Sequence, residues 1–511
     1  MLKYFRYSQY SSDLLFLKSM RAVKAIFVFG CMLCIFSVEA TELYIGKATA
    51  DITPKLPVAL MGQFELRIAN KAETPLSANI IALESRNGSQ SVGATIMVSC
   101  DLVFIPADYL QKIRTEVSRR LPGFDVNNII LNATHTHTAP VLEDDPDKVS
   151  FQYKIPKEGV SQVSEYFQLF TQRVSEAIVK AWKSRSAGSV TWGQNRAAIA
   201  YNRRAVYADG TAVMYGNTNT PEFLSLEGYE DHDVNTLFFW NNHKKLIAMS
   251  INVACPAQEV EGRSEVNADY WHLVRVALQK KYGAGLCVLG WIGAAGDQSP
   301  HAMYRKKAEE RMRKLSNTNR MEDIAQRIVW AIDKTHEAVK NDAHSNVPLI
   351  HKVKKLLLPM RIITTEEYKN SMKVRDDAAA QIAKDPKMAD RLHAKMTWFG
   401  DVVKRYERQM TDTRPTYETE IHVVRIGDVV ICTNQFELFT DYGIRIQARS
   451  KALQTFVIQL AGAGTYLPTS KAVAGGGYSA VCQSNAVGPE GGQQLVEHTL
   501  ALIDELWKET E

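Results

Sequence analysis

Cysteine is scarce in this 511-residue chain, and what there is builds no framework. Two of the seven cysteines, Cys31 and Cys34, fall in an apolar N-terminal run. The other five, Cys100, Cys255, Cys287, Cys432 and Cys482, are scattered, odd in number and mostly inside apolar, strand-like stretches. That spacing excludes a disulfide-stapled scaffold and predicts buried thiols. An excess of one charge is also lacking. The formal net charge is +5, and the first forty residues hold Lys3, Arg6, Lys18, Arg21 and Lys24 against Asp13 and Glu39. The rest of the chain is therefore close to neutral, with no basic field to argue for a nucleic-acid partner. There is no fixed-period repeat, no low-complexity tract and no linker rich in Pro, Gly or Ser. Fibrous, solenoid and disordered classes are excluded with them.

What remains is a globular composition, 45% hydrophobic and 23% charged, long enough for one large domain or two to three ordinary ones. The start reads differently. In "MRAVKAIFVFGCMLCIFSVEATE" a basic beginning leads into an apolar run from Ala25 to Phe36, followed by small residues at Val38 and Ala40. This is the pattern of an export signal cleaved after Ala40, and the run is short for a membrane span. Residues 1–19 read as an upstream extension, with Met20 as the start. Cys31 sits in "FVFGC", a poor match to a lipid-attachment sequence.

From residue 41 onward, strand-like stretches ("NIIALES", "ATIMVSCDLVFIP", "NNIILNATHTHT") alternate with helical ones ("ADYLQKIRTEVSRRL", "VSEYFQLFTQRVSEAIVKAWKS"). Strand, helix, strand in this order predicts a mixed α/β fold. The organisation expected is one large catalytic domain over 41–511, with a charged helical insertion at about 365–412.

Four clusters concentrate polar chemistry. "LNATHTHTAP" places His135 and His137 two residues apart after an apolar strand, so strand alternation puts both imidazoles on one face. They suit one metal ligand and one proton carrier; a hydrogen-bonded core pair is the bland alternative. "GWIGAAGDQSPH" runs an apolar strand into Asp297 and Ser299. Ser299 is a candidate nucleophile or oxyanion donor and Asp297 a candidate partner to orient a histidine, against a simple turn with an Asp cap. "CTNQFELFTDYG" sets Glu437 among apolar neighbours, where a carboxylate is costly unless paired or metal-bound; a helix-start Glu is the alternative. "AGAGTYLPTSKAVAGGGYSA" carries Tyr466 and Tyr478 in a glycine-rich loop, which can also be plain loop packing.

Taken together with "IGKATADITP", "PLSANIIALE", "SCDLVFIP" and "YNRRAV", these clusters resemble, in order and spacing, the catalytic domain of the neutral, non-lysosomal ceramidase family. The resemblance runs from about Thr41 to the end. It implies an exported zinc amidase that cleaves the N-acyl bond of ceramide to sphingosine and a fatty acid. It implies Zn²⁺ held by two His, one Glu and one Tyr: His135, Glu437 and, from the loop, Tyr466. His137, Arg203, Ser299 and Tyr478 are implied as catalytic residues, and Asp297, from the reading of its own cluster, is a catalytic candidate beside them. Two departures stand out. The family's second zinc histidine falls in "INVACPAQEVEG", where Cys255 takes its position, with His272 nearby as a substitute. The family's full-length members also carry a β-sandwich domain, and none is expected after the last helix, "LVEHTLALIDELWKETE". The substrate is expected to be a small molecule or lipid, with membrane-surface contact possible and oligomeric state open. The alternatives are the same metal site acting as an esterase, deacylase or glycan-directed hydrolase, or a non-catalytic binding relative.

Overall fold

The strands of the central sheet lie between two apolar layers, one on each face. In the computed structural model, which describes residues 41–508, eight strands form this sheet. They are β1 (Glu42–Asp51), β2 (Ser77–Asn87), β3 (Gln90–Cys100), β4 (Ile129–Ala133), β5 (Ser186–Arg196), β6 (Asp233–Asn241), β7 (Leu246–Val253) and β8 (Cys287–Ile292). Their order is β8-β7-β6-β5-β1-β2-β3-β4. A second sheet has four strands in sequence order: β9 (Leu349–Pro359), β10 (Thr416–Ile426), β11 (Val429–Thr433) and β12 (Gln454–Ile458). The export signal, its cleavage after Ala40, the start at Met20 and Cys31 lie outside the described residues.

Period-two alternation explains the layering. Along β2, Ile80 and Ala82 point to one core and Ile81 and Leu83 to another. The first core is closed by Ile113 and Phe170 of helices α1 (Ala107–Arg120) and α2 (Val163–Lys183). At the other half of the sheet, Val288 and Met249 meet Val274 of α3 (Tyr270–Tyr282) and Ile328 of α5 (Arg320–Val339); α4 (Lys306–Ser316) lies between these two helices in the chain. The inner face of the sheet, with Ile81, Leu237 and Leu289, packs on Val424, Ile431 and Phe456 of the second sheet. The outer face of the second sheet is covered by α8 (Thr440–Arg449) and α10 (Pro489–Lys508). The result is helices, sheet, sheet, helices, a mixed α/β architecture. The charged segment forms two helices, α6 (Thr365–Lys384) and α7 (Ala389–Thr411), and α9 (Ser470–Gly475) is a single short turn in the glycine-rich loop.

Most neighbours within these two sheets are antiparallel, but three of their pairs are parallel: β3 with β4, β7 with β8, and β11 with β12. Each pair is joined through a helix, α1, α3 and α8 respectively. The sheet curls, so that Ser99 and Asn132 on β3 and β4 reach the backbone of Gly290 on the edge strand β8. The C-terminal ends of these parallel strands lead into the segments that hold His135, Gln258, Asp297, Glu437 and Tyr466, as expected for sites on α/β sheets. All five cysteines among the described residues are free and buried. Among the described residues no helix is long and apolar enough to cross a membrane.

Candidate active site

β4 ends at Ala133, and the chain then turns. His135 has φ 65°, a left-handed conformation costly for a side chain with a Cβ. It is held by its own N–H, which donates to Leu102 O at 2.8 Å, and by its ring Nδ1, which donates to Val103 O at 2.8 Å. Because a carbonyl only accepts, Nδ1 carries a proton, and Nε2 is the nitrogen turned to the site. That nitrogen lies 3.3 Å from Glu437 Oε2 and 3.3 Å from His137 Nε2. The two imidazoles meet as expected, with ring centroids 4.7 Å apart, but they do so through this turn and not through regular strand alternation.

Glu437 follows β11 and pairs in parallel with Tyr466, which follows β12. The Tyr466 hydroxyl donates to Glu437, and burial together with that carboxylate pushes the phenol well above its ordinary range. Arg203 is buried beside them. Its Nη2 donates to Tyr466 Oη at 3.2 Å and to Gly296 O at 3.0 Å; its Nη1 donates to Gln258 Oε1 at 3.2 Å and Tyr215 Oη at 3.3 Å. Burial opposes the guanidinium charge, but Tyr466, Tyr215 and Glu437 outweigh it and hold the proton firmly. Gly296 belongs here for a steric reason: a Cβ would lie 2.3 Å from Glu437 O. Tyr478 stands at 5.6 Å from Tyr466, ring to ring, and remains partly exposed. Phe64 and Trp398 of α7 pack on its far side, at 6.0 and 5.8 Å.

Several residues of this cluster carried no sequence signal of their own. Gln258, from the same "CPAQEVEG" stretch as Cys255, donates its amide N–H to His137 Nε2 at 2.8 Å. Glu261 places Oε2 3.4 Å from His137 Nδ1 and Oε1 3.8 Å from His301 Nε2. Arg67 clamps the loops by donating to the carbonyls of Met61, His137, Glu261 and Arg263. Gly62, at φ 106°, lets its loop close over His137, since a Cβ there would lie 2.5 Å from the ring. Burial, followed by His135, Arg67 and Arg203, holds the His137 imidazole well below its ordinary pKa, so it is neutral at pH 7.

Four predicted residues are placed elsewhere or differently. Cys255 turns its thiol to Ile199 O at 3.5 Å, inside the core under α3 and α5, and burial pushes that thiol up, away from a ligating thiolate. His272 lies on α3, where its charged neighbours are Arg275 and Asp101, and burial lowers its pKa. Neither joins the contacts of the His135 cluster. Cys255 faces the apolar side of its loop, where a small thiol satisfies the core, and Gln258, three residues on, faces the site. Ser299 is fully buried, and its Oγ accepts the His301 N–H at 3.1 Å, a turn contact with no base beside it. Asp297 orients no histidine. Its carboxylate accepts from Thr440 N (2.8 Å), Thr440 Oγ1 (2.7 Å) and Asn202 Nδ2 (3.0 Å), tying the start of α8, next to Glu437, to the Arg203 segment.

Among the described residues no group of three or more His, Cys, Asp or Glu side chains forms a metal-ligand set. The pair His135–Glu437 nonetheless suits a cation. His135 Nε2 and Glu437 Oε2 stand 3.3 Å apart, an imidazole nitrogen and a carboxylate oxygen, both ligand types for Zn²⁺. The spacing is about that of neighbouring donors on a tetrahedral Zn²⁺ with bonds of ~2.0–2.2 Å. The backbone anchor of Nδ1 is the usual support of a ligating histidine. Tyr466, on Glu437, is the third donor at hand.

No protein-family model matches the sequence, and none of the curated proteins does. Solved structures do match. The neutral ceramidase from Pseudomonas aeruginosa aligns over 91% of this chain and 75% of its own, with a TM-score of 0.64 at 15% identity. The chain has the neutral ceramidase fold. A second structure, a ceramidase complexed with C2, aligns over 92% of this chain and 76% of its own, with a TM-score of 0.65 at 13% identity. At these identities the likeness is one of backbone, so any function rests on the side chains described above.

Proposed function

We propose that this chain hydrolyses an acyl bond, amide first and ester second, with a ceramide-like lipid amide as the leading substrate. The observation that supports it is the convergence of His135, His137 and Glu437 with Arg203 and Tyr466 at the strand ends. Acyl hydrolysis needs a proton carrier, an activated water and donors for the oxyanion, and this set contains groups for each. His135 and Glu437 would hold Zn²⁺, which when bound lowers the pKa of its water to about 7 and polarises a carbonyl. His137 is a neutral base, and its Nε2, which now accepts the Gln258 amide, takes the proton from the attacking water and returns it to the leaving amine. Tyr466 stays protonated, so its O–H and the Arg203 N–H groups are the donors for developing negative charge.

Esterase, deacylase or glycan-directed activity of the same site is the second reading, favoured by the polar side formed by Gln258, Glu261, His301 and Tyr215. Export, read from residues 20–40, belongs to the same proposal, and a mature protein beginning at Thr41 would support it. The deciding experiment is a panel of ceramide, N-acyl amides, chromogenic esters and acylated glycans with and without chelator. Chelator-sensitive ceramide cleavage that disappears in Glu437→Ala supports the first reading. Turnover confined to esters or sugars supports the second. A zinc-loaded protein inactive on the whole panel overturns both and leaves the binding relative.

A further inference from the structure

α4 is assembled inside out. No residue of its eleven is buried. The side turned to the protein is polar: Glu309 accepts from Tyr201 Oη at 2.9 Å, and Arg313 lies over Glu309 at 3.7 Å. The side turned to solvent holds the apolar residues. Ala308, Met312 and Leu315, at i, i+4 and i+7, form one stripe, with Tyr304 just ahead of the helix. Met312 is 58% exposed, Leu315 66% and Tyr304 44%. Lys307, Arg311 and Lys314, at the same spacing, run along one side of that stripe. Over its length the helix carries Lys306, Lys307, Arg311, Arg313 and Lys314 against Glu309 and Glu310, and Arg305 stacks on Tyr304 with its guanidinium 4.4 Å from the ring centre.

A helix of this composition lowers its free energy by laying the stripe into something apolar while its cations meet negative charge. We propose that α4 is a docking surface for an anionic lipid interface. The stripe is one helix wide and under two turns long, small beside the roughly 800 Å² per partner of a stable protein interface. Charge complementarity favours anionic headgroups over a zwitterionic surface. The helix also stands at the rim of the candidate site. It begins five residues after His301, which meets Glu261 and Gln258. Thr218 donates to Met303 O and so ties this rim to the turn of Tyr215, whose hydroxyl accepts from Arg203. Docked through α4, the protein holds that rim against the surface in which a lipid amide resides. This placement rests on the lipid form of the proposed function, whereas vesicle binding does not.

The test is co-sedimentation of the full chain with phosphatidylcholine vesicles and with vesicles containing phosphatidylglycerol. It is paired with turnover of a water-soluble short-chain substrate and with molar mass in solution. Binding to the anionic vesicles is expected to be tighter by about tenfold or more. Lys307→Glu/Arg311→Glu/Lys314→Glu should abolish that preference, and Met312→Ser/Leu315→Ser should weaken binding to both vesicle types. Both variants should leave turnover of the soluble substrate unchanged, because none of these residues touches the site. Equal binding by wild type and variants, or none by wild type, overturns the proposal. A wild-type dimer that the Met312→Ser/Leu315→Ser variant loses also overturns it and gives the face to a second copy. Vesicle binding by a protein without soluble turnover keeps the docking and removes the hydrolase reading.

Discussion

His135 combines a strained backbone with a ring anchored at Nδ1, and the two facts belong together. A left-handed φ of 65° persists only where its surroundings over-determine it, here through Leu102 and Val103. His135→Ala removes the ring but keeps the strain. It is expected to strip bound zinc, read as metal per chain, while Cys255→Ala leaves metal content unchanged and costs about 1–2 kcal/mol of stability through a small core cavity. Equal metal loss in both variants would return Cys255 to the ligand set. At Arg203 and Tyr466 the expectation concerns rate. Tyr466→Phe removes one buried O–H donor and should lower kcat by about 100-fold with KM little changed, in steady-state assays on the best panel substrate. Gly62→Ala is expected to act through His137, whose ring occupies the space a methyl needs, and through the strain of a Cβ at φ 106°; activity and the thermal midpoint should both fall.

At the scale of elements, the join between α1 and the second sheet is a buried ionisable network outside the site. His351 Nε2 and His422 Nδ1 are 2.9 Å apart, His422 Nε2 and Glu420 Oε1 3.1 Å, and Arg114 of α1 holds Glu420 at 2.7 Å. Burial lowers both histidines, with each other and Arg114 as further causes for His351. Burial works to raise Glu420, but hydrogen bonds from His422 and Arg114 prevail and bring it to about 2. For the histidines the unfolded chain binds protons that the folded one refuses, so stability falls as pH drops below about 6.5. For Glu420 the contribution is complete above about 4.5 and is lost as pH falls towards 2. Chemical denaturation at a series of pH values should therefore show two losses. Glu420→Gln should remove the lower one; a wild-type profile flat from pH 7 to 3 would contradict the assignment.

For the molecule as a whole, the inner core between the two sheets decides stability. Leu289 and Val424 are fully buried there. Leu289→Ala is expected to cost about 2–5 kcal/mol. Because the site segments leave strands of both sheets, heat should abolish activity and circular dichroism at one temperature in wild type and variant alike. Two separated transitions would show that the sheets unfold independently. The same dependence explains why the site draws on residues more than three hundred positions apart, His135 and Glu437, with neither making sense alone.

Composition and periodicity were sufficient for the mixed α/β architecture. Runs such as Ile80–Leu83 are apolar on both faces, which only a strand between two layers accommodates, and that information is local. His135, His137 and Glu437 were legible because histidines and a carboxylate at the ends of apolar strands are expensive without partners. Which side of a loop faces the site was not legible. In "ACPAQEVEG" the thiol of Cys255 and the amide of Gln258 are three residues apart, and nothing local says which turns inward. Packing settled it: the core under α3 and α5 accepts a small thiol, while Arg203 and His137 together offer a donor and an acceptor that only an amide meets at once. Ser299 and Asp297 likewise owe their structural parts to His301, Thr440 and Asn202, and the turn of α4's apolar stripe towards solvent follows from Tyr201 holding Glu309. Such choices depend on partners distant in the chain, and only the tertiary structure brings those partners together.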